Sequence, residues 1–484
     1  MSALTALALA LALLSACASQ SATGFPAIFD ENPQITLPGG ASTTPTPKVG
    51  PASLSVGIPS GSSEMLTAVS ELYNGMTDGR LVKTDEPGSV GARISLDDLA
   101  KFTEGLNATL VDLPTGDALR TALLGMGASG TLPDIYLTDE LPALSRAGYT
   151  TSLDGWASVE SLLQEGKVLP VAFQSCIVDG KIQGLPYSAS TPVLFYNATL
   201  IADAGIDAST LDAGLSLRNL VALFPALTKP TTHQYALYDA LPLLSLLPST
   251  RDVSAGWSGF VNGSFDFGSQ AFTDSVTALR AVVKGQWTLD LLTKDQLTKY
   301  YSTSDPRILG KIAFWIDDSS RVSYWTGVAG LTTGIAPIPY LDERRLPLSL
   351  RCFAVNPKST DLPDAVRFTG FLATDADALR LESRFGFDSG RIPLQLESSV
   401  WTDAIGQGTA SLYFTSLRSL LPKSFVEGRI GVPGWSAAVA ASLDAHALKL
   451  LQGLESIQTV SADMDAAARK ALSETSSATP GLAP

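Results

Sequence analysis

Short apolar runs alternating with stretches of helical period fill the hundred residues after Pro51, and this alternation leaves few folds open. Leu54-Ser55-Val56-Gly57-Ile58 reads as a strand closed by Pro59-Ser60-Gly61, after which Met65, Val69, Leu72, Tyr73 and Met76 recur at helical spacing. Ser95 and Asp98 have the form of a capping box opening a helix with the stripe Leu96, Leu99, Phe102 and Leu106. Thr109 to Leu113 reads as a strand, and Asp117 caps a helix carrying Leu119, Leu123 and Met126. Asp134 to Leu137 is the next strand. It ends at Thr138-Asp139-Glu140 and is followed by a short helix, Leu141 to Ala147, that Gly148 stops. The pattern predicts an α/β fold with a mostly parallel sheet and helices on its faces. In such sheets ligands sit at the carboxyl ends of strands, which singles out Asp139 and Glu140.

Further along, Lys181 to Pro186 looks like a strand entering PYSASTPVLFYN, Leu200 to Ala204 starts a helix, and Val276 to Val283 is helical. Lys311 to Ile316 and Cys352 to Val355 read as buried strands. Ala438 to Leu454 and Ala462 to Leu472 are helical in period, and there is no internal repeat. Without its N-terminal segment the chain keeps roughly 430 residues, which suits two or three domains.

Residues 3 to 14, ALTALALALALL, are too short to span ~30 Å of hydrocarbon. They fit the apolar core of a secretory signal in 1–16. Leu14-Ser15-Ala16-Cys17 matches the lipobox of bacterial lipoproteins, which makes Cys17 the expected acylation site. No basic residue precedes Cys17 and the first is Lys48, as though translation started further upstream. Residues 17–50, rich in Ser, Thr, Pro and Gly, read as a flexible tether. The expected location is extracytoplasmic, on a lipid anchor. In an oxidising compartment Cys176 and Cys352 could pair, and spacing alone does not decide it.

Charge excludes other classes. With 33 basic and 47 acidic residues the net charge is −14, which opposes phosphate backbones and anionic membrane surfaces, so no nucleic-acid partner is expected. Two histidines far apart and no C-x-x-C leave a His/Cys metal site or a histidine triad short of parts; no metal and no cofactor are expected. Gly125-Met126-Gly127-Ala128-Ser129-Gly130 fits G-x-G-x-x-G in letters only, because a helix precedes it and a strand follows, the reverse of a dinucleotide site. Asp139-Glu140 and Asp317-Asp318 could flank a glycosidic bond, which keeps a surface glycoside hydrolase as a rival reading. Trp257, in the small-residue stretch Ser254 to Gly259, reads as a loop platform for a ligand ring. Trp315, inside an apolar strand, reads as core; Trp156, Trp287, Trp325, Trp401 and Trp435 have no decisive context.

Five pieces in order resemble the extracellular solute-binding proteins of bacterial ABC importers, in the cluster of maltose- and glycerol-3-phosphate-binding proteins. They are FTEGLNATLVDLPTGDALRTALLGMGASGTLPDIYL, VDGKIQGLPYSASTPVLFYNATLIADAGID, GKIAFWIDDSSRVSYW, GIAPIPY and AVNPKSTDLPDAVRFTGFLATDADALRLESRFGFDSGRIPLQ. The resemblance implies a two-lobed periplasmic-binding-protein fold with hinge crossings: 51–191 and 339–387 as the first lobe, 192–338 and 388–484 as the second. It implies ligand contacts at Glu140, with Asp139 beside it, Ser188, Ser190, Trp257, Asp318, Ser319, Ser349 and Arg391. Arg391 stands where the family often has an aromatic residue, and Asp139 where glycerol-3-phosphate binders carry tyrosine. The connection from Ser60 to Arg93 is longer than usual. The implied function is binding without catalysis: a monomer captures a neutral sugar, or next a phosphorylated polyol, and delivers it to permease subunits. A sensor or adhesin that has lost transport is the other rival.

Overall fold

The computed structural model describes residues 52–59, 61–81, 94–156, 158–160, 162, 168–212, 214–261, 264–385, 392–394, 417, 419–426 and 446–477. The signal segment, Cys17, the tether and Arg391 lie outside the described residues. The strands run in chain order as β1 (Ser53–Pro59), β2 (Asn107–Leu113), β3 (Ile135–Thr138), β4 (Ile177–Val178), β5 (Lys181–Ile182), β6 (Leu185–Ser190), β7 (Pro192–Asn197) and β8 (Tyr235–Leu237). Then come β9 (Gly256–Val261), β10 (Ser264–Asp266), β11 (Ile312–Asp318), β12 (Thr333–Ala336), β13 (Leu346–Val355), β14 (Ile392–Pro393) and β15 (Ser424–Val426).

β1 is buried at Leu54 and from Val56 to Pro59, as suits a strand covered on both faces. It lies between β2 and β3, parallel to both, with Val56 level with Leu110 and Ile135. Helix α1 (Ser63–Thr77) follows, capped by Ser62, and buries Met65, Leu66, Val69 and Leu72. The expected helix after Ser95 is cut short. Ser95 accepts the Asp98 N–H, but the helix covers only Leu96–Leu99 and Leu96 is exposed. Asn74 of α1 is the reason: its amide donates to the carbonyls of Phe102 and Leu106 and its oxygen accepts the Leu106 N–H, bonds that hold 102–106 out of the helix. Helix α2 (Asp117–Ser129) begins after Gly116 without a side-chain cap, and Gly130 ends it in the left-handed conformation, so the glycine run is a helix end. Helix α3 (Leu141–Arg146) is the short helix expected there.

The first sheet has the order β14-β6-β13-β3-β1-β2, with β15 alongside β13. The second has the order β12-β7-β11-β8. β4 and β5 form a hairpin on Asp179-Gly180, both at positive φ as a two-residue turn of this kind requires. Trp257 lies in β9, paired with β10, and so in a strand where a loop was expected; its side chain lies outside the described part. Residues from 388 onward, expected in the second lobe, divide. β14 pairs with β6 and β15 with β13, whereas Leu450, Leu451 and, from helix α8 (Ile457–Ser477), Val460 and Met464 pack in the core that surrounds Phe224, Phe272 and Phe314 of the second sheet's layer. A two- or three-residue strand has no period of its own; its partner decides its place.

Cys176 and Cys352 form a disulfide, buried among Leu113, Leu123, Tyr136 and Leu141 on one face of the first sheet. It joins the segment before β4 to β13 across 176 residues of chain. A loop of that length implies ~2–5 kcal/mol of stabilisation through the unfolded chain. Dithiothreitol, or the double substitution Cys176→Ser with Cys352→Ser, is therefore expected to lower the unfolding free energy from urea titration by that amount, with a lower midpoint and a steeper slope as the freed unfolded chain exposes more surface. Coincident curves for the oxidised and reduced protein would contradict it.

Candidate functional site

Strand direction fixes where both sheets present their carboxyl ends. In the first, β1, β2 and β3 run parallel, and β13 is antiparallel to both β3 and β6, so β3 and β6 point the same way. In the second, β8 and β11 are parallel and β7 opposes them. β6 passes into β7 through Thr191 alone, and Asp318 at the end of β11 lies opposite Pro192 at the start of β7. The carboxyl ends of β3 and β6 on one side, and of β8 and β11 on the other, therefore all run toward the same crossing.

Three chain segments meet there, and Thr191 binds them together. Its N–H donates to Ser319 Oγ at 3.1 Å and its carbonyl accepts the Ser319 N–H at 2.8 Å. Its hydroxyl donates to the Pro347 carbonyl at 2.7 Å. Thr191 and Ser319 are fully buried. Ser319 is thereby a hinge brace in this structure, where a ligand contact was expected.

On the first-sheet edge, Asp139 is exposed just past β3 and Glu140 precedes α3, with Arg120 Nε 3.8 Å from its carboxylate. Ser190 and Ser349 face each other across β6 and β13, both half-buried. Ser188, two residues inside, is buried between β13 and β14 and so does not reach an open surface. The structure brings Asp139, Glu140, Ser190, Ser349 and Asp318 to the two edges that meet at the crossing.

On the second-sheet edge, Asp318 accepts the Ser320 N–H and Asp317 accepts Trp325 Nε1–H at 2.8 Å as well as the Asp318 N–H. Helix α6 (Val322–Thr326) leaves directly from this turn. Its Tyr324 is 45% exposed, with the Arg321 guanidinium 4.2 Å from its ring centre. Behind it the Arg307 guanidinium lies over two rings, 4.2 Å from Tyr238 and 4.5 Å from Trp325, and Asp305 grips it bidentately at 3.0 and 2.6 Å. Burial raises the Tyr238 pKa against the opposing pull of Arg307, so its phenol remains a donor at neutral pH. Sequence reading missed Arg321, Tyr324, Tyr238 and Arg307. The signal for the first two was present, since Arg321 and Tyr324 are three apart in a helical segment and share its face. Trp315 is buried against Phe195 and Trp325, as expected of core.

Residues 94–378 match the family model described as bacterial extracellular solute-binding protein. The chain belongs to that family. Among curated proteins, the galactooligosaccharide-binding protein of Bacillus subtilis (strain 168) is 25% identical over 227 residues, 45% of this chain and 50% of the relative. The chain thus spans about half the length of the curated relative it matches. Among solved structures, the sugar-binding protein MalE of Xanthomonas citri superposes with a TM-score of 0.62 at 14% identity, covering 89% of this chain and all of that one. A Listeria monocytogenes ABC substrate-binding protein in complex with cycloalternan gives 0.62 at 11% identity, covering 87% and 99%. At these identities the likeness is one of fold, and it establishes the expected two-lobed α/β architecture. Asp317, engaged by Trp325 and by its own neighbour's N–H, is already committed to holding α6 in place.

The hinge geometry yields a measurable consequence. Thr191→Val keeps the side chain's shape but leaves the buried Pro347 carbonyl without its donor, which costs about 1–3 kcal/mol. Thermal unfolding should show that loss, and Ser319→Ala should show a comparable one by removing the acceptor for the Thr191 N–H. Two variants as stable as the parent would contradict the brace.

Proposed function

We propose that this solute-binding family member is the substrate-binding component of an ABC importer. On this reading it captures a neutral sugar or oligosaccharide between its lobes and passes it to membrane permease subunits. The carrying observation is the exposed Arg321–Tyr324 pair at one edge of the crossing, with Asp139, Glu140 and Ser190 at the other. An aromatic face suits the C–H surface of a sugar ring, and carboxylates accept hydrogen bonds from its hydroxyls. Because such a ligand touches both edges only when they approach, it favours the closed form by its differential affinity. Several carboxylates near the crossing oppose a phosphorylated polyol. The similar proteins, a galactooligosaccharide-binding protein, a sugar-binding protein and a substrate-binding protein in complex with cycloalternan, support the sugar class.

The test is a thermal-shift and calorimetric screen of malto- and galacto-oligosaccharides beside glycerophosphodiesters. A cognate sugar at a hundred times its Kd should add ~2.7 kcal/mol of stability. Tyr324→Ala should weaken it by roughly tenfold, about 1.4 kcal/mol, near the upper end of aromatic contributions. Stabilisation by the phosphodiesters alone, or release of shortened sugars during incubation, would overturn the proposal.

We further propose that Cys17 carries the lipid that holds the protein at the outer face of a bacterial membrane. The buried disulfide supports an oxidising compartment. Expressed in a bacterial host, the parent should sediment with membranes and the Cys17→Ala variant should appear in the extracytoplasmic soluble fraction. An unchanged distribution would exclude the anchor.

A further inference from the structure

Between Tyr340 and Leu346 the chain passes from the second sheet's layer to the first sheet, and its partners change abruptly. Tyr340 bridges Ser216: its N–H donates to the Leu215 carbonyl at 3.3 Å and its carbonyl accepts the Leu217 N–H at 2.8 Å. The Leu341 N–H donates to Thr250 Oγ1 at 2.9 Å, and the Glu343 N–H donates to the Thr250 carbonyl at 3.2 Å. Asp342 takes the Arg251 guanidinium bidentately at 2.6 and 3.0 Å, and Arg251 also pairs with Asp274 of helix α4 (Gln270–Lys284). Leu217 and Leu341 pack in the core of the second sheet's layer, so the chain is fastened to that layer as far as Glu343. From Leu346 it belongs to the first sheet: Leu346 is level with Ser424 of β15, and the Pro347 carbonyl is held by Thr191.

Arg344 and Arg345 lie between these two sets of bonds. The Arg344 guanidinium turns back to the second lobe, 5.7 Å from the ring centre of Tyr340. Arg345 Nη2 lies 3.1 Å from the Glu343 carboxylate, while its Nε is buried with no acceptor among the described residues. A buried donor without a partner is costly and regains one, water included, when its surroundings open, so this arrangement needs something to hold it. Glu343 is placed to do so. Its backbone is bonded to the second lobe, yet its Oε1 lies 2.5 Å from Lys423 Nζ. Lys423 immediately precedes Ser424, where β15 begins to pair in the first sheet. The two side chains are 41% and 53% exposed, so salt screens their attraction.

We propose that Arg344 and Arg345 are a joint between the lobes and that the Glu343–Lys423 ion pair is a tie across it, biasing the lobes toward the angle seen here. A joint of this kind needs only a few residues at the end of an element to absorb the change in backbone angles. The tie differs in kind from the buried bonds of Thr191. An exposed pair contributes a factor of about two to five to an equilibrium, which shifts a population without locking it. It acts in the empty protein and does not depend on which solute is bound.

Single-molecule energy transfer in the full, solute-free chain tests this, with dyes on non-natural residues at two exposed positions. These are Lys101 on the first lobe and Lys294 of helix α5 (Lys294–Tyr301) on the second. At low salt the parent should show one dominant transfer efficiency, and roughly 0.5 M sodium chloride should move molecules out of it. Glu343→Gln and Lys423→Met should each do the same at low salt, by about two- to fivefold, and should lose most of the salt response. The exchange Glu343→Lys with Lys423→Glu should restore the parent's distribution, because Arg345 can pair with the relocated carboxylate. Single variants that match the parent, or an exchange no different from the single variants, would overturn the tie. So would a parent whose distribution salt leaves unmoved, a result read without any substitution in the pair.

Discussion

The structure depends on the hydrogen bonds that Thr191 makes at the crossing. Its partners Ser319 and Pro347 lie 128 and 156 residues away in sequence, so these bonds close long loops and cannot form until both sheets are nearly assembled. They are buried, so no water replaces them when they break, and each lost partner costs more than the bond's net contribution. The apolar core runs through the same place. Tyr187 and Ala189 from the first sheet belong to one cluster with Val193, Phe195 and Trp315 from the second. A joint made this way resists sliding, because interdigitated side chains have discrete arrangements.

That joint explains which polar residues are available to a solute. Ser319 and Ser188 satisfy the composition of a sugar site, but one braces the hinge and the other is covered by its neighbouring strands. The available groups lie one step further out, where β3, β8 and β11 have ended and the chain has turned into α3 or α6. Carboxyl strand ends are useful for this reason: the ladder no longer occupies the backbone, and short helices start with their side chains directed across the edge.

The parts of the fold legible in the sequence were those with a local period. β1, β2, β3, α1 and β11 carry their apolar patterns within a few residues, and their boundaries fall within one or two residues of expectation. What was illegible depended on a distant partner. Asn74 stops the helix after Ser95 from 28 residues away. β14 and β15 take their place from β6 and β13. Cys176 and Cys352 meet only because β13 returns beside β3. For the candidate site the split is similar. Asp139, Glu140 and Asp318 could be named because they follow strands, whereas Arg307 gains its role from two rings, Tyr238 and Trp325, brought together by tertiary packing alone.

The placement of cations sharpens the electrostatic argument. In a chain of net charge −14, the guanidinium of Arg307 faces Asp305 and two aromatic rings, and that of Arg321 lies against Tyr324. Arg307 is thereby unavailable to an anionic ligand, while its charge polarises the rings it covers. Asp139 at one edge and Asp318 at the other carry like charge, and on the proposed reading a ligand between them feels both. A neutral polyhydroxylated solute can answer both with donated hydrogen bonds. An anion of the same size would add to the repulsion. On that reading the charge at the two edges favours a neutral ligand class over an anionic one.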